Sequence, residues 1–361
     1  MTDQDYMRRA IALAKKGIGA VNPNPLVGAV IVKDGRIIAE GYHARYGELH
    51  AERSAIAALK ESAEGATIYV TLEPCCHHGK QPPCTEAVLE QKIARVVIGS
   101  RDPNPLVAGK GAKILREAGV IVEEDFLREE CDAINPVFFH YITTKTPYVV
   151  MKYAMTADGK IATKTGASKW ITGEAARNEV QIMRYTYMGI MAGIGTVLAD
   201  DPMLNVRLTG KRSPVRIICD SNLRIPLESR ICQSAREYPV IVAYARENPD
   251  KIRALQTLGV ESVYCPDERG TIDLKKLMLL LGEKGIDSIL LEGGGTLNDS
   301  ALRAGIVNKI YAFVAPKIFG GEGAKSPVAG IGVELPNDGV RMKLNEVKQI
   351  GDDLLLSYTI K

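Results

Sequence analysis

The stretch Ile68-Tyr69-Val70-Thr71-Leu72-Glu73-Pro74-Cys75 runs a β-prone segment into a proline and a cysteine. Its apolar, β-branched residues predict a strand over 68–72, which Pro74 ends. A second thiol follows at Cys84, where a helix is predicted after Pro83. Upstream, His50-Ala51-Glu52 opens another predicted helix. Outward from this centre lie a helical pattern over 3–15 and short strands over 27–32 and 37–39 around the Asp34-Gly35 turn. A further strand follows over 96–98. The alternation predicts helices layered on a mixed sheet, an α/β architecture.

A helical stretch over 126–142 ends in Thr143-Thr144-Lys145-Thr146-Pro147. Polar, β-branched and closed by proline, this segment is the expected domain boundary, with domains at 1–145 and 146–361. Beyond it strands are predicted over 148–154, 190–192, 215–219, 240–244, 288–291 and 310–314. The tail, 343–350 and 354–360 around Gly351-Asp352-Asp353, reads as an antiparallel hairpin. A chain of 361 residues is too long for one core, so two domains also follow from length.

Lys and Arg number 46 against 43 Asp and Glu, a net charge of +3 without a basic run. Nothing there recruits a nucleic acid. The apolar stretches are strand-sized and the amino terminus carries acid, so neither a membrane span nor a signal peptide is expected and the cytoplasm is the expected address. Seven cysteines, an odd number in such a chain, argue against a disulfide framework and leave metal binding or buried thiols.

One imidazole, His50, and two thiolates, Cys75 and Cys84, make three zinc ligands, leaving a fourth tetrahedral position for water. Zinc lowers the pKa of that water to about 7, making hydroxide available at neutral pH. Glu52, two residues from the histidine, stands beside the metal without binding it and can shuttle protons. This H-x-E then P-C arrangement matches the signature of zinc nucleobase deaminases. One departure stands out: eight residues, not two, separate Cys75 from Cys84. Cys76, His77 and His78 therefore compete as ligands. Cys84 is favoured because Pro82-Pro83 stiffens the loop before it and a helix start favours a thiolate. The alternative is a closed structural site of His50, Cys75, Cys84 and His77 or His78.

In the second half, the strand over 288–291 enters Glu292-Gly293-Gly294-Gly295-Thr296 and then a helical pattern over 297–304. Glycines at a strand-to-helix turn let backbone amides approach an anion, although the pattern is not a G-x-G-x-x-G fingerprint. The strand over 190–192 leads through Gly193-Ile194-Gly195-Thr196 toward Asp200, and that over 215–219 ends at Asp220-Ser221. Three strands with such ends point to one binding edge. Trp170, the sole tryptophan, reads by itself as a core anchor.

Taken together, His50-Ala51-Glu52, Thr71-Leu72-Glu73-Pro74-Cys75 with Cys84, Asp102-Pro103-Asn104-Pro105-Leu106-Val107-Ala108-Gly109, Asp158-Gly159-Lys160-Ile161-Ala162, Ser168-Lys169-Trp170-Ile171-Thr172 and Glu292-Gly293-Gly294 closely resemble the bifunctional riboflavin-biosynthesis deaminase/reductase family. The match runs nearly end to end, and in that family the loop between the cysteines is long. The resemblance implies a cytidine-deaminase-like α/β/α layer domain followed by a dihydrofolate-reductase-like α/β domain. The first would hydrolyse the 2-amino group of 2,5-diamino-6-ribosylamino-4(3H)-pyrimidinone 5′-phosphate with zinc bound by His50, Cys75 and Cys84 and with Glu52 carrying the proton. Asn24, His43, Lys80, Asp102 and Asn104 match positions that hold the base and ribose phosphate; Lys80 and His43 suit phosphate and Asn24 a base edge. The second would take hydride from NADPH to convert the ribosyl chain to ribityl. There the resemblance sets Ala154, Trp170, Thr196, Asp200, Ser221, Gly294 and Gly295 on the cofactor side. It sets Lys152, Ser168, Arg184, Leu204, Arg207 and Glu292 on the substrate side, with the arginines as phosphate clamps. Proton delivery by Glu292 or by Lys152 is left open, and dimerisation through the reductase domain is implied.

The runner-up is a deaminase of bases in RNA or DNA, which would call for a basic or aromatic surface; 6% aromatics and balanced charge speak against it. A zinc-stabilised binding protein leaves Glu52 unexplained. Small-molecule substrates, with no nucleic-acid or membrane partner, are the expectation.

Overall fold

The computed structural model describes residues 1–79 and 81–361, and the chain divides into two compact units, Met1–Lys145 and Thr146–Lys361.

In the first unit, strands β1 (Gly28–Lys33), β2 (Arg36–Tyr42), β3 (Thr67–Leu72), β4 (Arg95–Ser100) and β5 (Ile121–Glu123) form one sheet ordered β2-β1-β3-β4-β5. β1 is antiparallel to β2 and β3, whereas β3, β4 and β5 run parallel, so the sheet is mixed. Both faces are buried, and strict alternation divides them. Ala29, Ile31, Ile68, Val70, Val96 and Ile98 pack on one side under the helices Ala51–Ala57 and Lys110–Glu117. Val30, Val32, Tyr69 and Val97 face the helix Asp3–Ala14, whose Tyr6, Met7, Ala10 and Ile11 cover them. Each fully buried Ile or Val contributes about 1.5–3 kcal/mol. The helix backbone approaches so closely that a Cβ on Gly28 would fall 2.0 Å from the Ala10 carbonyl oxygen.

The helical stretch expected over 126–142 is instead two helices, Arg128–Asp132 and Pro136–Thr144. Pro136 cannot continue a helix from before it and takes the first helical position, where no amide is needed. The side chain of Asn135, just before it, pairs with both backbone groups of Leu26, at 2.7 Å to the amide and 2.9 Å to the carbonyl.

The second unit holds strands β6 (Tyr148–Thr156), β7 (Gly189–Gly193), β8 (Val215–Cys219), β9 (Val240–Tyr244), β10 (Glu261–Tyr264), β11 (Ser288–Leu291), β12 (Val307–Ala315), β13 (Met342–Ile350) and β14 (Asp353–Ile360). Their order is β10-β9-β8-β7-β11-β6-β12-β14-β13. β10 through β12 are parallel, and the tail hairpin joins antiparallel through β14. Again the faces alternate: Ile217 and Ile241 enter one core, Ile218 and Val242 the other. Because β6, β7, β8 and β11 share a direction, the loops after them gather along one sheet edge, where open α/β sheets bind ligands.

Among the described residues, no helix is long and apolar enough to cross a membrane.

Candidate functional site

In the first unit His50 caps the helix Ala51–Ala57, Cys75 leaves the end of β3, and Cys84 begins the helix Cys84–Glu90. Their ligand atoms all lie within 4.8 Å of one another. His50 Nδ1 is 3.5 Å from Cys75 Sγ and 3.4 Å from Cys84 Sγ. A tetrahedral zinc, with Zn–S about 2.3 Å and Zn–N about 2.0 Å, holds such donors about 3.6 Å apart. The nitrogen and two sulfurs therefore fit zinc in chemistry and in spacing. Among the described residues His77 and His78 do not join this cluster: His78 is exposed, 3.9 Å from Glu86, and His77 lines the neighbouring cavity. The arrangement is an open three-ligand site.

Glu52 lies beneath it, 3% exposed. Burial, with the charge of Cys75 added, pushes its carboxyl up to about 7. The hydrogen bond shared by Cys75 and Cys84 lowers the first thiol and, with burial, raises the second, so one thiolate is favoured even before a metal arrives. Above the cluster opens a cavity of about 270 Å³ whose walls include Asn24, His43, Glu52, Cys75, Asp102 and Asn104. Burial pushes Asp102 up to about 6, and its Oδ1 accepts the Asn104 amide at 2.8 Å. His43 is buried and burial lowers its pKa. Its Nδ1 lies 2.9 Å from the Leu49 carbonyl oxygen, so Nε2 accepts from Asn24 Nδ2 at 3.1 Å. A neutral ring engaged at both nitrogens suits the orientation of Asn24 and not the phosphate contact expected of it. Lys80 lies outside the described residues.

Two contributors escaped the sequence reading. Arg53, next to Glu52, donates to the Pro82 and Pro83 carbonyls at 3.0 and 2.7 Å and so ties the loop before Cys84 to the helix of Glu52. Glu73, buried, accepts the Gly109 and Ala112 amides at 3.0 and 3.2 Å, capping the helix Lys110–Glu117. The carboxylate in the Glu73-Pro74-Cys75 motif is thus a distant helix cap; only its place beside Pro74-Cys75 hinted at a role.

In the second unit the sheet edge collects most of the remaining residues. Lys152 and Ala154 lie on β6; Thr196 and Asp200 lie in the helix Ile194–Asp200 after β7; Ser221 follows β8; Glu292, Gly294 and Gly295 follow β11. Lys152, Arg184 and Glu292 come together. Arg184 Nε and Nη2 donate to Glu292 Oε1 and Oε2 at 2.7 and 3.1 Å, and Lys152 Nζ lies 3.7 Å from Oε2. Burial raises the Glu292 carboxyl, but the charges of Arg184 and Lys152 overcome it and hold it at about 2. Burial lowers the Lys152 pKa against the pull of Glu292. Arg184, expected at phosphate, has its Nε/Nη2 fork on a carboxylate, and its Nη1 donates to the Asn205 carbonyl at 3.1 Å. Arg207 is exposed; Leu204 is buried, with a left-handed φ of 51°.

Among the described residues, a Cβ placed on Gly294 would meet, beyond its chain neighbours, only Thr196 Oγ1 within 4 Å, at 3.9 Å, so the backbone there has room for a ligand. That open glycine face, at the start of the helix Gly295–Arg303, fits the phosphates of a nicotinamide cofactor. Ser168 is half-buried, and Asp200, exposed, lies 3.5 Å from Lys169 Nζ. Trp170 is no core anchor: it is 60% exposed, with the Arg177 guanidinium 4.7 Å from its ring centre.

Comparison with known proteins adds the family. Residues 147–356 match the RibD C-terminal domain, and residues 1–100 match the cytidine and deoxycytidylate deaminase zinc-binding region. The chain is 57% identical over 360 residues to the riboflavin biosynthesis protein RibD of Actinobacillus pleuropneumoniae, covering 100% of this chain and 96% of that one. It is 40% identical to RibD of Escherichia coli strain K12, covering 99% of each. Among solved structures, Acinetobacter baumannii RibD superposes with a TM-score of 0.90 at 38% identity, covering 99% of both chains. A Thermotoga maritima protein described as a diaminohydroxyphosphoribosylaminopyrimidine deaminase/5-amino-6-(5-phosphoribosylamino)uracil reductase gives 0.88 at 39% identity, covering 99% of this chain and 98% of that one. With a zinc-binding deaminase domain, a reductase domain that implies a nicotinamide cofactor, and relatives matched from end to end, the chain belongs to the RibD family of bifunctional deaminase/reductases of riboflavin biosynthesis.

Proposed function

We propose that the first unit deaminates 2,5-diamino-6-ribosylamino-4(3H)-pyrimidinone 5′-phosphate to 5-amino-6-ribosylaminouracil 5′-phosphate, and that the second reduces the ribosyl chain of that product to ribityl with NADPH. The observation that carries the reading is the convergence of His50, Cys75 and Cys84 over the buried Glu52 at the floor of one cavity. Zinc, when bound by these three residues, makes water nucleophilic at neutral pH. Glu52, held near neutrality, takes a proton from water and returns it to the amino group, which departs as ammonia. Asn24, oriented by His43, presents its carbonyl oxygen to the base edge, with Asp102 and Asn104 on the same wall. Lys80 is assigned to the phosphate by resemblance.

In the second unit Ala154, Trp170, Thr196, Asp200, Ser221, Gly294 and Gly295 form the cofactor side, and NADPH, when bound there, supplies the hydride. Lys152, Ser168, Leu204 and Arg207 form the substrate side. Glu292, held ionised at about 2, has no proton to give at neutral pH, so Lys152 is the proton donor and Arg184 fixes Glu292 beside it. All seven cysteines are free thiols, which supports a reducing, cytoplasmic setting. The balanced charge supports small-molecule substrates without nucleic acid or membrane. Exposed Leu344 and Val347 on the edge strand β13 support a homodimer or higher homo-oligomer.

The test uses the full-length enzyme. Glu52→Ala should abolish ammonia release from the pyrimidine phosphate while NADPH oxidation on the deaminated product persists. Loss of both activities in a folded variant would overturn two independent sites.

A further inference from the structure

The turn Asp158-Gly159-Lys160-Ile161, just after β6, has no part in the chemistry above, yet it is heavily bonded. The Asp158 carboxylate accepts two backbone amides, Phe319 at 3.2 Å and Gly320 at 2.7 Å. The Ala157 amide donates to the Lys317 carbonyl at 2.8 Å, and that of Ile161 to the Lys325 carbonyl at 2.9 Å. From the opposite side, the fully buried Asn298 donates Nδ2 to the Pro327 carbonyl at 2.8 Å, and the Ala329 amide donates to the Gly295 carbonyl at 3.0 Å. A Cβ on Gly295 would lie 2.8 Å from the Ser326 carbonyl oxygen, so this glycine is what lets the segment lie against the turn. At its other end Lys317 Nζ donates to the Trp170 and Ile171 carbonyls, at 3.0 and 2.8 Å. Residues 317–329 thus run as a strap from Trp170 to the glycine turn, fastened by Asp158 at Phe319 and Gly320, near its Lys317 end.

We propose that Asp158 is a positioning residue of the reductase site, setting Trp170 and the Gly293-Gly294-Gly295 turn at the separation NADPH requires by holding this strap. The proposal rests on the assignment of NADPH to the second unit. A carboxylate suits the task because it accepts at both oxygens, and its charge strengthens both bonds. An asparagine keeps one acceptor and turns an amide donor toward the other N–H, so it cannot replace it.

Trp170 is the sole tryptophan, and its fluorescence reports directly on one end of the strap. The zinc-loaded full-length enzyme is titrated with NADPH while that emission is followed. Wild type should show saturable quenching. In Asp158→Asn and Asp158→Ala the emission should shift and the NADPH Kd should rise about tenfold, the factor carried by 1.4 kcal/mol. The KM for NADPH should rise likewise, while kcat and the KM for the pyrimidine substrate stay within about twofold. Asn298→Ala, at the far fastening, should act in the same direction. The double variant should fall short of the product of the single effects, because both act on one element. Wild-type NADPH affinity in Asp158→Ala, or a parallel loss of cofactor and substrate affinity that marks general loosening, would overturn the strap and leave the cofactor assignment standing. Absence of saturable quenching in wild type would instead remove the cofactor assignment and the proposal with it.

Discussion

Arg184 closes a two-point fork on Glu292, with Nε 2.7 Å from Oε1 and Nη2 3.1 Å from Oε2. Its Nη1 donates to the Asn205 carbonyl, so three of its five N–H donors are engaged within the protein. Arg207, by contrast, is exposed, which supports the substrate-phosphate contact proposed for it. Arg207→Ala is expected to raise the KM of the reductase substrate about tenfold with kcat and the KM for NADPH little changed, the pattern of lost uniform binding. Steady-state kinetics decide it; an unchanged KM for the reductase substrate would remove Arg207 from the phosphate site, and a kcat loss at constant KM would mark a contact made only in the transition state.

The same pair sets an acid dependence. Glu292 titrates at about 2, below its ordinary 4.5, because two buried cations outweigh its burial. A depressed carboxyl adds stability that is fully present above its unfolded value and fades as pH falls through the folded one. The reductase unit should thus lose on the order of 3 kcal/mol between pH about 5 and about 2 through this group alone. Urea unfolding followed by Trp170 fluorescence should show that slope in wild type and a flatter one in Glu292→Gln. The variant is also expected to be less stable at neutral pH by about 3–5 kcal/mol, since it leaves Arg184 and Lys152 buried without a countercharge.

These two behaviours come from a contact that the sequence does not display. Arg184 and Glu292 stand 108 positions apart, and a charged residue on a helix reads as solvent-facing until the packing is known. The strands were legible because β-branched residues such as Ile217-Ile218 and Val240-Ile241-Val242 cluster between breakers, and the alternation of their burial follows from the pleat. The zinc donors were legible as types and spacing, since each sits at the end of a predicted element. Spacing alone left Cys76, His77, His78 and Cys84 in competition; Pro82-Pro83 and the helix start favoured Cys84, and it is Cys84 that stands with His50 and Cys75 in the cluster. The long helix expected across Asn135-Pro136 failed because apolar periodicity outweighed the proline, although Pro136 alone was enough to break it. Taken alone, Trp170 read as a core anchor because large aromatics are buried on average, and composition cannot flag an exposed one; only the resemblance set it on the cofactor side.

The open three-ligand arrangement makes a metal prediction that separates it from a closed structural site. Cys75→Ser and Cys84→Ser should each strip the zinc, whereas His77→Ala should keep one zinc per chain, because His77 lies outside the donor cluster. Metal content by mass spectrometry after dialysis gives the answer. Treatment with a chelator should abolish deamination and leave NADPH oxidation intact; equal loss of both would place a structural demand on the metal that the donor set does not explain.

Gly111, on the helix Lys110–Glu117, has no room for a side chain: a Cβ there would lie 2.2 Å from the Pro74 carbonyl oxygen and 3.3 Å from Glu73 Oε1. The contact is to backbone one residue before the ligand Cys75, and the helix it belongs to is itself capped by Glu73. Gly111→Ala must therefore push either the helix or the Pro74-Cys75 peptide, at a cost of about 1–3 kcal/mol for an overpacked core. Because the obstacle is main chain rather than a movable side-chain tip, the shift is expected to reach Cys75 Sγ and disturb its 3.5 Å spacing to His50 Nδ1. The variant is expected to bind zinc more weakly and to lose deaminase activity in proportion to the lost metal, with excess zinc restoring both and reductase activity unchanged. Competition with a chromophoric chelator measures the affinity; an unaltered zinc affinity alongside lowered thermal stability would show that the helix, and not the ligand loop, gives way.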